Sequence, residues 1–333
     1  MAELQRFGPL QSRAPRMHEV FRTLEKVSRF DLSVLFTGPS GVGKTRYAEA
    51  VHAVSPRKKE PFIVVECASL PDALIESELF GHTEGAFTGA VQARLGAFRA
   101  AHGGTLLLDE IGAASPAVQV ALLRALEEQR VTPLGSSEPI PVDVRILATT
   151  ALDLREEVEA QRFRSDLFYR LAVVVQPLPP LDDRAEDIGL LAEEIVTAVA
   201  KQWKIPALAL SPDALKALEA RTWPGNTREL ENVIKRAAAL AEDGRIEPEH
   251  LPAAPTQPLA DPASGAELSG SWVRSGPVAI HRDTYAWPTI RDHIERLAIE
   301  RALEACGGNQ SEAAKLLQMP RRTLVHKLAQ QRE

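Results

Sequence analysis

At 333 residues, with an apolar fraction of 44% and a charged fraction of 25%, the chain has the composition of an ordinary globular protein with room for two or three domains. Its formal charge of −6 excludes a protein that coats nucleic acid over its whole surface, while leaving room for a local basic element. Cys67 and Cys306 stand far apart without CxxC spacing, so neither a disulfide framework nor a zinc site is suggested. No apolar run nears the roughly 18 residues of a membrane span and no signal-peptide pattern opens the chain, so a cytoplasmic protein without a membrane partner is expected.

In chain order, apolar positions at helical spacing predict an amphipathic helix over 16–30, and SVLFTG (33–38) reads as a short buried strand. A helix follows in KTRYAEAVHAV, a second strand in PFIVVECAS (61–69), and a helix after Pro71. The alternation repeats with a strand at 105–110, a helix opened by Ser115 and Pro116, and strands at 142–150 and 172–177. Strands alternating with helices predict a parallel sheet covered on both faces, an α/β domain over 1–178. From about 184 the strands are expected to stop, and three helical segments form a small all-α subdomain over 179–250. The Pro-, Ala-, Ser- and Gly-rich stretch 251–287 reads as a linker, and 288–333 turns helical again.

The chemistry is concentrated in two motifs. GPSGVGKT, residues 38–45, matches G-x-x-x-x-G-K-[ST] in full and lies between a predicted strand and a predicted helix, the context this motif requires. The backbone of Gly38, Pro39, Ser40, Gly41, Val42 and Gly43 can cradle the phosphates of ATP. Lys44 adds a point charge at the β/γ-phosphates, and Thr45 offers a hydroxyl to Mg²⁺. GGTLLLDE (103–110) then ends an apolar strand in two carboxylates, with Asp109 near the metal and Glu110 placed to activate a water. Together the motifs predict hydrolysis of ATP.

A third stretch calls for another explanation. ELFGHTEGAFTGA sets Phe87 among small residues, Gly85, Ala86, Thr88, Gly89 and Ala90, on a backbone that glycine makes bent and mobile, with little for the ring to pack against. At this point the sequence resembles the AAA+ transcription activators that work with sigma-54, the bacterial enhancer-binding proteins, over about 8–250 and again over 289–330. The resemblance implies that Gly85–Ala90 forms a loop contacting sigma-54, with Phe87 and Thr88 at its tip. It also implies a ring, usually a hexamer formed from dimers that are inactive, in which Arg164 and Arg170 of RFRSDLFYRL reach a neighbour's nucleotide. WPGNTREL (223–230) is similar to the second sensor motif. Pro224, Gly225 and Asn226 are expected to make the turn and cap the next helix, and Arg228 to sense the γ-phosphate from a helical lid.

The segment 297–331 resembles a Fis-type helix-turn-helix, which places Arg321, Arg322, Thr323, His326 and Lys327 on or near a helix suited to double-stranded DNA upstream of a promoter. Three departures from the family pattern stand out. Glu66 replaces an Asn that holds the catalytic glutamate, so that Glu66 and Glu110 brought close would repel; Ala151 replaces the Asn of the first sensor; and Thr45 stands where Glu is frequent. The expected protein is therefore an AAA+ ATPase that remodels the closed complex of sigma-54 RNA polymerase. The alternative is a nucleotide-gated DNA-binding regulator with little hydrolysis, which Glu66 and Ala151 favour and the complete GAFTGA loop opposes. Only about 30 residues precede the first predicted strand, too few for a sensing domain, so control by a regulatory partner in trans is expected.

Overall fold

The computed structural model of the protein describes residues 3–68, 72–87, 90, 92–205, 208–241 and 244–252. The helix-turn-helix assigned to 288–333, with Arg321, Arg322, Thr323, His326 and Lys327, lies outside the described residues, as do Thr88 and Gly89.

Five strands form one parallel sheet: β1 (Val34–Thr37), β2 (Phe62–Glu66), β3 (Thr105–Asp109), β4 (Arg145–Thr150) and β5 (Val174–Pro177), in the order β5-β1-β4-β3-β2. Their side chains divide between two cores. Leu35, Leu106, Leu108, Ile146 and Ala148 face one side, and Val34, Phe36, Leu107 and Leu147 the other. The inner strands β1, β3 and β4 are buried at successive positions, and a strand buried on both faces needs a run of apolar residues rather than alternation. Helices α1 (Pro15–Val27) and α2 (Lys44–Val54) fill the second core with Met17, Phe21, Leu24, Ala48 and Val51. Helices α3 (Asp72–Phe80), α4 (Pro116–Glu128) and α5 (Ser165–Leu171) fill the first. As expected, Pro116 opens α4 and the Ser115 hydroxyl accepts from the Val118 amide, satisfying one of the free donors of the first turn.

One cation is part of the interior. Arg145, 2% exposed at the start of β4, donates to the carbonyls of Val27, Ser28 and Leu32, where α1 ends. Burial holds its pKa below the ordinary arginine value, and the negative end of the α1 dipole supplies the compensating field. The sheet and its first helix are thus joined by charge as well as by apolar contact.

Beyond β5 the chain forms a helical subdomain: a 3₁₀ segment, Leu181–Asp187, then α6 (Ile188–Trp203), α7 (Pro212–Glu219) and α8 (Asn226–Leu240), packed around Trp223, Leu218, Leu230 and Ile234. Strands do not stop entirely at about 184. Ala209–Leu210 and Arg245–Ile246 pair in parallel within this subdomain. The sequence also gave no sign of three small antiparallel hairpins, Gln5–Phe7 with Leu10–Ser12, Gly81–His82 with Arg94–Leu95, and Arg130–Val131 with Ile140–Pro141. Strands of two or three residues are too short to carry a readable period.

Candidate functional site

The strand order explains the site. In an open parallel sheet the crevice lies beyond the carboxyl ends of the strands, where the winding reverses. Here β4 separates β1, which runs into residues 38–45, from β3, which ends at Asp109. Each of the three strands delivers a polar group to the same edge. The Thr45 hydroxyl donates to the Asp109 carboxylate at 3.3 Å. The Thr149 hydroxyl of β4 also donates to Asp109 and accepts from the Glu110 amide at 2.9 Å. Thr149 therefore ties the two halves of the acidic pair to the sheet between them.

Lys44 is 5% exposed and folds back over the loop, donating to the carbonyls of Gly38 (3.0 Å) and Pro39 (3.4 Å) and pairing with Glu110 at 2.9 Å. The other oxygen of Glu110 accepts from the Ala151 amide at 2.8 Å. Ala151 thus contributes through its backbone, where a side-chain amide was expected from the family pattern. Glu110 itself has φ +52°, a left-handed conformation that costs a non-glycine residue about 1 kcal/mol or more. Such strain survives only where surrounding bonds impose it.

The two carboxylates expected to repel are not bonded to each other. Glu66 ends β2, is exposed, and lies in register with Asp109 rather than Glu110. Between them the next residue, Cys67, is buried, and its thiol is pushed up to about 12 by burial, with further contributions from Asp109 and Glu66. It is a neutral packing residue at neutral pH, not a nucleophile.

The lid closes on the loop through residues 225–228. Gly41 has φ +80°, and a Cβ there would fall 2.4 Å from the Gly225 carbonyl, so only glycine allows this approach. Asn226 does not cap α8 as expected: the Glu229 side chain accepts from the Gly225 amide instead. Asn226 is 2% exposed at φ +53°, and its amide donates to the Ser40 carbonyl at 3.0 Å while its oxygen accepts from the Leu181 amide at 2.7 Å. It joins nucleotide loop, hinge and lid. Arg228, two residues on, donates to the Ser40 hydroxyl at 3.0 Å. Behind the loop, Arg184 of the hinge donates to the Tyr47 hydroxyl and the Val42 carbonyl, and Asp187 accepts from Ser12 and the Arg13 amide of the first hairpin. These ties were missed in the sequence because each joins segments far apart in the chain.

Arg164 and Arg170 stand apart from this cluster. Arg164 caps α5 with its backbone and pairs with Asp166 at 2.7 Å; Arg170 donates to the Leu126 carbonyl at 2.9 Å. Among the described residues neither bonds to the nucleotide loop or the acidic pair. Phe87 is 39% exposed, but it has a neighbour that its small flanking residues did not suggest: its ring meets the His82 imidazole edge-on, with centroids 5.0 Å apart.

A phosphate loop at the end of the first strand, an acidic pair at the end of the third, and a helical lid locked onto the loop define an AAA+ P-loop ATPase. The sigma-54 interaction domain model matches residues 10–176, the AAA+ ATPase lid domain 182–266, and the Fis-family bacterial regulatory protein model 290–330. The transcriptional regulatory protein ZraR of Klebsiella oxytoca is 43% identical over 316 residues, which are 95% of this chain and 67% of ZraR. The regulator NtrC of Azospirillum brasilense is 42% identical over 331 residues, 96% of this chain and 69% of NtrC. The crystal structure of NtrX from Brucella abortus in complex with ADP superposes with a TM-score of 0.66 at 31% identity, covering 96% of this chain and 68% of NtrX; the NtrX complex with ATP gives the same score at 32%. The chain belongs to the sigma-54-dependent transcription activators, AAA+ ATPases that couple ATP hydrolysis to activation and bind DNA through a Fis-type helix-turn-helix.

Proposed function

We propose that one chain supplies all but the final cations of an ATP-cleaving site, and that copies of the chain complete one another. Backbone amides of 38–43 and the amino end of α2 take the phosphates, and Lys44 exchanges Glu110 for the β/γ-phosphates. Glu110, released, takes a proton from the attacking water. The groove bordered by Leu10, Val42, Gly43, Tyr47 and Leu191 takes the purine. Thr45 and Asp109 hold Mg²⁺, and their hydroxyl and carboxylate oxygens, 3.3 Å apart, are the hard donors that ion takes. No cluster of three or more His, Cys, Asp or Glu suited to a metal occurs among the described residues, so phosphate and water would supply the remaining ligands. The ion contributes neutralisation of phosphate charge.

Arg228 reports the γ-phosphate to the lid. Arg164 and Arg170 act on the nucleotide of a neighbouring chain in a ring, which we take to be hexameric and assembled from resting dimers. Phe87 and Thr88, at the tip of the loop Gly85–Ala90, engage sigma-54 in the RNA polymerase holoenzyme. The basic residues at 321–327 read upstream DNA, through a domain at 288–333 joined by the linker 251–287 to the ATPase (1–178) and lid (179–250). The setting is the cytoplasm, with a regulatory protein as the input.

The observation carrying this reading is that Glu110 is held by Lys44 and the Ala151 amide beside the loop, while both candidate arginines are engaged elsewhere. It is tested by steady-state ATP turnover against protein concentration. Turnover per chain is expected to rise steeply with concentration. A constant value would place the whole site in one chain, and ATP bound but uncleaved at every concentration would make the protein a nucleotide-gated DNA-binding regulator.

A further inference from the structure

The loop that carries Phe87 leaves and re-enters the body through the hairpin Gly81–His82 and Arg94–Leu95, in which His82 faces Arg94. Helix α3 is tied to both stems. The Ser77 side chain lies 2.7 Å from His82 Nδ1 on the outgoing stem, and Glu78 pairs with Arg94 at 2.8 Å on the returning one. The other imidazole nitrogen, Nε2, lies 2.9 Å from the Gln92 carbonyl. A carbonyl only accepts, so Nε2 carries a proton and donates across the neck, while Nδ1 lies within hydrogen-bond reach of the Ser77 hydroxyl. Ser77 is 3% exposed and cannot turn to water instead. The imidazole is thereby fixed at both nitrogens, and the Phe87 ring rests on it edge-on. Close to the same stem, the Thr83 amide donates to the Leu134 carbonyl, and a Cβ on Gly135 would fall 2.8 Å from that of Ala86. The base of the loop is therefore built, not slack.

We propose that His82 is a positioning residue for the sigma-54 contact. Its imidazole closes the neck of the loop and seats Phe87, so that a displacement of α3 passes through Ser77 and His82 to the tip. This rests on the reading above, in which the Phe87 loop engages sigma-54. An edge-to-face aromatic contact constrains two rings more tightly than area alone, and the imidazole couples that contact to a hydrogen-bonded crossbar.

The test uses the full chain with Mg²⁺, ADP and aluminium fluoride as a mimic of the transferring phosphoryl group. Capture of purified sigma-54 is titrated for wild type, Phe87→Ala, His82→Ala and His82→Gln, with ATP turnover measured in parallel. Loss of the ring contact and the carbonyl bond is expected to weaken capture by His82→Ala about tenfold beyond any change in turnover. His82→Gln, whose amide can still donate across the neck, recovers part of that loss. If His82→Ala captures like wild type while Phe87→Ala fails, the role of His82 is overturned and the reading of the loop stands. Undiminished capture by Phe87→Ala overturns the reading of the loop and the role of His82 with it. A second measurement is independent of sigma-54: para-cyanophenylalanine at position 87 in the full chain, its nitrile stretch compared between His82 and His82→Gln at matched circular dichroism. A shifted stretch supports the seat, and an identical one overturns it, including where His82→Ala has lost turnover and capture together.

Discussion

The acidic pair at the end of β3 and the arginines on and beside α5 differ in where their partners lie. Asp109 and Glu110 are satisfied within the cradle by Thr45, Thr149, Lys44 and the Ala151 amide. Arg164 and Arg170 are satisfied away from it, by Asp166 two residues along and by the Leu126 carbonyl. An exposed pair such as Arg164–Asp166 contributes little and exchanges readily for a better anion. A guanidinium on transferring phosphate, by contrast, is a large term in catalysis. This chain thus holds its proposed base and metal carboxylate ready, and its proposed charge-stabilising cations in reserve for another copy.

Mixing two inactive variants tests whether the acidic pair and the arginines serve different chains. Arg164→Ala alone is expected to lower ATP turnover by about 10³-fold or more, as for other arginine fingers, and Glu110→Gln alone by about 10²- to 10⁴-fold through loss of the base. If the two groups serve sites on different chains, an equimolar mixture of the inactive variants regains turnover, because some sites join an intact Glu110 to an intact Arg164. A mixture as inactive as its components would place both groups in one chain's site and remove the argument for a ring.

The closure of lid on loop carries a smaller effect. Asn226→Ala leaves the Leu181 amide and the Ser40 carbonyl without partners and puts an alanine at φ +53°. The expected loss is about 2–4 kcal/mol, combining an unsatisfied buried group with left-handed strain. Asn226→Gly removes the same bonds without the strain, and should be about 1 kcal/mol less damaging by urea unfolding. If both variants unfold with the wild-type midpoint, the lid is held by Trp223 and its neighbours alone and the Asn226 tie is dispensable.

What could be read from the sequence follows the range of each interaction. The P-loop, the acidic strand end, the strands of the sheet and the Ser115 cap are set by residues within a few positions of each other, so spacing and apolar runs reveal them. The order of the strands is not local. Nothing in RILATT says that β4 lies between β1 and β3, and that placement is what turns Thr149 into a link to Asp109. Pro-Gly-Asn before a helix is a local cap pattern, and it points Asn226 toward the first turn of α8. Its true partners, Ser40 and Leu181, are 186 and 45 positions away. Phe87 has no ring among its immediate neighbours, and the His82 imidazole five positions back meets it only because the chain turns between them, with the Ala86 amide donating to the Thr83 carbonyl.

The smallest expected effect concerns the departure that looked most damaging. Glu66→Asn restores the residue usual in the family, and if Glu66 crowded the proposed base, turnover should jump. Yet Glu66 is exposed at the end of β2, whereas Glu110 is turned toward Lys44 and the Ala151 amide by its left-handed backbone. An exposed substitution outside such contacts shifts energies by about 0.5 kcal/mol or less, so turnover should move by no more than about two- to threefold. A change of tenfold or more would mean that nucleotide brings Glu66 and Glu110 together. The acidic pair would then be held in reserve as the arginines are.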